Sequence, residues 1–129
     1  SLSVTGLTSP KIRTVTLNAT NNLREQAVVG SDELAGIGAG RFEVSGTMEV
    51  YLEDKSLLDL YFNSTAADLS FTIGSVTTEK YTWSIPNLKF VSAEVVAGGN
   101  DADVVVNAGW QGLYDSSEAC TLKITREVA

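Results

Sequence analysis

The chain has 129 residues, 43% of them hydrophobic, with nine basic and sixteen acidic side chains, no histidine and one cysteine. That length supports one hydrophobic core, and the apolar content is that of a folded domain, not a disordered tract. A net charge of −7 with scattered Lys and Arg argues against gripping nucleic acid or anionic lipid, since such binding rests on clustered cations displacing counterions. No apolar run approaches the ~18 residues of a membrane helix, so no membrane partner is expected. The start at Ser1 instead of Met leads to the expectation of a single domain over residues 1–129 with upstream sequence removed. Lone Cys120 cannot form an internal disulfide and is expected to be a small buried residue beside the last strand.

In chain order, "KIRTVTLNAT" (11–20) alternates Val15, Leu17 and Ala19 with polar residues and predicts a strand. Periodicity then fades over "NNLREQAVVGSDELAGIGAG" (21–40), where glycines accumulate. A loop so long is unusual in a compact domain unless it takes part in a contact, and Leu23, Arg24, Val28, Val29, Leu34 and Ile37 are its candidate contact residues. "RFEVSGTMEVYLED" (41–54) separates Phe42, Val44, Gly46, Met48, Val50 and Leu52, a core face, from Glu43, Ser45, Thr47, Glu49, Tyr51 and Glu53. Asp54 then opens a short helix with Leu57, Leu58, Tyr61 and Phe62 at helical spacing, stopped at Asn63.

Strands are predicted at 68–76, at 80–96 with a break or bulge near Pro86, at 103–115 after the turn Gly98-Gly99-Asn100-Asp101, and at the C-terminal end. About seven strands and one helix imply a mainly β protein, an antiparallel sandwich or barrel with the short helix flanking it.

Lack of histidine removes Ser-His-Asp and Cys-His nucleophile systems and the commonest zinc ligand. Glu43, Glu49 and Glu53 on one strand face could form a carboxylate pair for glycoside hydrolysis, but sixteen acids in a small β protein produce such neighbours by chance. Asn100, Asp101 and Asp103 lack the calcium-loop spacing and read as a turn. "GIGAG" (36–40) lacks a phosphate loop's lysine and following helix, and reads as a hinge. Trp83, Trp110, Tyr81 and Tyr114 could make a stacking platform, although Trp110 is in phase with Val104, Val106 and Ala108 and so with a core. No catalytic, cofactor-binding or metal site is expected.

"GRFEVSGTMEVYLEDKSLLDLYFNSTAADLSFTI", "YTWSIPNLKFVSAEVVAGGNDADVVVNAGWQGLYD" and "TLKITR", in that order and spacing, resemble the tail tube proteins of long-tailed phages over roughly residues 12–126. The resemblance implies a β-sandwich or barrel with one flanking helix, six copies in a ring whose inner sheets join into one barrel, and rings stacked into a tube for DNA. It also implies a structural role in the virion tail, assembly in the host cytoplasm, and tape-measure and tail-terminator proteins as partners. Glu43, Ser45, Thr47 and Glu49, with Val105, Asn107, Gly109 and Gln111, would then look into an acidic channel. The 21–40 loop would join neighbouring subunits. Alternatives are a carbohydrate-binding or baseplate module and a tube subunit of a protein-injecting system.

Overall fold

The computed structural model describes residues 2–30, 32–74 and 79–127. Strands and helix follow in the order β1 (Leu2–Val4), β2 (Ile12–Val15), β3 (Asn18–Thr20), β4 (Arg24–Gln26), β5 (Gly36–Gly38), β6 (Glu43–Tyr51), α1 (Ser56–Phe62), β7 (Ala67–Ile73), β8 (Lys80–Ala97), β9 (Val104–Gly112) and β10 (Lys123–Glu127). Eight strands form one curled antiparallel sheet in the order β1-β7-β8-β9-β6-β2, with β3 continuing β2 along β6 and β10 lying along β8. β4 and β5 pair only with each other. The fold is the mainly antiparallel β protein with one short helix that the sequence predicts. The described strands exceed seven because β1 and the β4–β5 pair are three-residue segments too short to show a period.

Alternation places the core. Val44, Met48 and Val50 of β6 and Val106, Ala108 and Trp110 of β9 are buried on one face, joined by Leu69 of β7 and by Ile85, Leu88 and Phe90 of β8. Trp110 is the largest of these side chains, at 1% exposure. Its ring lies directly across from Gly46, where an added Cβ would come within 2.5 Å of ring atom Cζ2. Trp110 Nε1 has no hydrogen-bond partner among the described residues, so the indole is held for its volume. The stacking-platform reading of Trp110 therefore gives way to the core reading.

Two aromatic residues assigned to core faces are instead exposed, Phe42 at 42% and Phe62 at 74%. Phe42 precedes β6, and Phe62 falls at the edge of the stripe formed by Leu57, Leu58 and Tyr61, resting against Tyr61 with ring centroids 5.4 Å apart. The helix starts two residues later than Asp54, but the Asp54 carboxylate still accepts the Ser56 N–H at 2.8 Å. That bond lowers the Asp54 pKa from its ordinary value. Asn63 caps the other end, its N–H donating to the Asp59 carbonyl.

The expected 11–20 strand divides at Thr16, whose hydroxyl accepts the Thr47 N–H at 2.9 Å and bridges β2 to β3. The interruption expected near Pro86 is a bulge: β8 runs unbroken, but its register against β7 slips between Leu69↔Ile85 and Ala67↔Leu88. β9 stops at Gly112, short of residue 115, with the Leu113 N–H donating to the Asn87 carbonyl one step past the Leu88↔Gly112 pair. Val76, in the strand expected to end there, lies outside the described residues. Cys120 is half-buried, bridged to Asp115 before β10.

Candidate functional site

Opposite the core, the same sheet presents a polar face built by β2, β6, β9 and the second half of β8. The pairing registers align it in cross-strand rows. One row holds Asn18, Ser45, Gln111 and Lys89, the next Thr47, Gly109 and Ser92, then Thr14, Glu49, Asn107 and Glu94, and finally Tyr51, Val105 and Val96. Glu43, Ser45, Thr47, Glu49, Asn107 and Gln111 thus share one face. Val105 lies on it too but is covered, at 8% exposure.

Chemically the face is hydroxyl-rich and nearly charge-balanced. Arg13 Nη1 reaches Glu49 Oε1 at 3.1 Å, so one of the three glutamates singled out in the sequence carries its own counter-ion. Glu53 lies beyond β6 and pairs with Lys11, which raises the lysine's pKa. Glu49 and Glu53 are thus each matched to a cation. Thr47, Glu49, Ser92, Glu94, Asn107 and Gly109 bound a shallow groove of about 380 Å³. Gly109 is needed at its floor, because its N–H donates to Ser92 Oγ at 3.1 Å and a Cβ would come within 2.6 Å of that oxygen.

Sequence reasoning missed the contributions of Lys89, Ser92 and Glu94. A bulge between Phe90 and Ser92 shifts the phase of β8, so plain alternation from Lys89 would put Val91, Ala93 and Val95 on this face. The Gly109–Ser92 contact that accommodates the bulge is tertiary, and no spacing within β8 announces it.

The edges of this polar sheet are open. Leu88 pairs with both Ala67 of β7 and Gly112 of β9, so those strands lie on opposite sides of β8. β7 stops at that level, and residues 89–97 of β8 have no partner on its side among the described residues. Val91, Val95 and Val96 are exposed along this stretch. At the other end of the four strands, β2 and β3 form the second free edge among the described residues.

Within 21–40, the loop contains a two-stranded hairpin with register Arg24↔Gly38, Glu25↔Ile37 and Gln26↔Gly36. Gly36–Gly38 of "GIGAG" therefore forms a strand, where the sequence reads as a hinge. Its glycines leave room for Gln26 and Arg24, whose side chains lie 3.3 and 3.9 Å from where a Gly38 Cβ would be. Leu23, Val28, Val29, Leu34 and Ile37 are all exposed, Leu23 at 66% and Ile37 at 65%.

A family model described as "Phage tail tube protein" matches residues 1–112. The chain belongs to the phage tail tube protein family. No curated protein matches it significantly. A tail tube protein is a structural component of the virion tail that assembles with itself. No described helix is long and apolar enough to cross a membrane.

Proposed function

We propose that six copies of this tail tube protein close into a ring by pairing the β2–β3 edge of one copy with residues 89–97 of the next. The polar faces then form the inner wall of a DNA channel. The observation that carries this reading is a four-stranded polar face bounded on both sides by unpaired strand edges, since such an edge invites a partner strand and closure removes it. Glu43, Ser45, Thr47, Glu49, Asn107 and Gln111 line the wall, with Lys89, Ser92 and Glu94 added from β8.

Three carboxylates, Glu43, Glu49 and Glu94, face two cations, Arg13 and Lys89, and Arg13 is occupied by Glu49. Repeated around a ring, such a wall has a small excess of negative charge and few cations free to hold a phosphate, so DNA slides without adhering. The role is mechanical, and a structural family points away from catalysis.

Electron microscopy of the purified chain should show rings or tubes. The double substitution Glu43→Lys and Glu49→Lys leaves one carboxylate against four cations on the face. It should preserve folding and tube formation while slowing or blocking DNA ejection. Unchanged ejection from such tubes would remove these residues from the channel.

A further inference from the structure

Past the level of Leu88, β8 leaves the polar sheet and continues as the centre of a three-stranded blade, with β7 on one side and β10 on the other. The two faces of the blade differ sharply. One carries hydroxyls, Ser70 beside Ser84 and Thr72 beside Thr82, whose Oγ1 atoms are 3.3 Å apart. The other continues the core face beyond the core as an apolar ladder: Phe71 across from Trp83, Ile73 across from Tyr81, and Ile124 on the far side of Trp83. Phe71 and Trp83 are stacked, with centroids 6.1 Å apart and planes 4° apart. Ile73 is 57% exposed, Tyr81 44% and Ile124 50%. Arg126 lies over the Tyr81 ring at 6.0 Å and has no carboxylate partner among the described residues. A contiguous aromatic and aliphatic surface of this kind is the mark of an interface.

The β4–β5 hairpin has the complementary problem. An isolated two-stranded hairpin is marginal in water. By alternation Leu23, Glu25 and Ile37 share one face, with Arg24 and Gln26 on the opposite one. Its Glu25 and Asp32 carboxylates suit Arg126.

We infer that the hairpin of one copy covers the Phe71–Trp83–Ile124 ladder of the neighbouring copy in the ring. The inference rests on the edge pairing proposed above and adds its second half. Ser45, Gln111 and Lys89 stand at one level, and both the chain from β3 through the hairpin to β6 and the blade lie beyond that level, at the same end of the sheet. β7 occupies the same side of β8 as the open 89–97 edge. When a neighbour's β2–β3 edge docks there, the hairpin that follows β3 is delivered to the blade.

Thiol cross-linking in assembled tubes tests this. In a Cys120→Ser background, Ile37→Cys is combined in turn with Ile73→Cys, Tyr81→Cys or Ile124→Cys and treated with a short bis-maleimide. Covalent multimers beyond the dimer are expected for at least one pair. None is expected with Thr125→Cys, which alternation places on the hydroxyl face. Tubes that form but give no cross-link from Ile37 to any ladder position overturn the inference while leaving the channel reading intact; an absence of rings and tubes overturns both. Acrylamide quenching gives a second readout, because Trp110 is enclosed and quenchable emission comes from Trp83. Quenching should fall by more than half on assembly, and Trp83 equally quenchable in tubes and monomers would refute the cover. If quenching falls without cross-linking, some segment other than the hairpin is the occupant.

Discussion

Two antiparallel pairs in this chain obey the same local rules and differ in almost everything else. β6 and β9 are nine-residue strands whose alternation sends Val44, Met48, Val50, Val106, Ala108 and Trp110 into a shared core. β4 and β5 are three-residue strands with every side chain of β4 in water and Ile37 of β5 largely exposed. Hydrogen-bonded pairing is common to both, so pairing does not decide stability. Apolar area removed from water does, at about 25 cal/mol per Å². The first pair is held by its own molecule. In the assembly proposed above, the second is buried by another copy.

Truncating the centre of the first pair should have the largest effect. Trp110→Ala is expected to cost about 3–5 kcal/mol of unfolding free energy, measured by urea denaturation, because it removes a fully buried indole and leaves a cavity. Filling the space opposite is next: a Cβ at Gly46 would stand 2.0 Å from the Thr16 carbonyl oxygen and 2.5 Å from the indole, so Gly46→Val should cost about 3 kcal/mol in the same assay.

In the second pair, Leu23→Ser with Ile37→Ser should change monomer stability by no more than about 0.5 kcal/mol, since both side chains are exposed, yet tube formation seen by electron microscopy should fail. Hydrogen exchange sharpens the contrast. Amides of 21–40 should exchange quickly in the isolated subunit and become protected in tubes; equal protection in both would place the hairpin's order within the monomer.

The smallest effect concerns Asp54. Its carboxylate accepts the Ser56 N–H and its pKa lies below the ordinary value, so its contribution is present above about pH 4 and lost as the pH falls through the lowered folded value. The melting temperature of Asp54→Asn should therefore lie slightly below that of the parent at neutral pH and converge with it in acid.

Much of this was legible before any coordinates. The 41–54 segment has an unbroken period of two with one face apolar, and a strand half-buried against a core has no other register that keeps Val44, Met48 and Val50 dry. Asn63 as the end of the helix and Gly98 to Asp101 as a turn were readable from local chemistry. Phe42 and Phe62 were misread because hydrophobicity says that burial is favourable, not that the fold has room for it. β4 and β5 were invisible because Gly36 and Gly38 carry no pattern, although in three dimensions they are what lets Gln26 and Arg24 lie across the hairpin.

The sequence by itself determined the fold class, the core side of β6 and β9, and the family, because alternation and motif order are properties of neighbours along the chain. Only the tertiary structure decided which strands carry open edges, how the β8 bulge brings Ser92 and Glu94 beside Gly109 and Asn107, and where the core face runs out into an exposed aromatic ladder. Those features depend on which strand lies beside which and at what offset. That offset is set by packing between segments tens of residues apart, where no local period reaches.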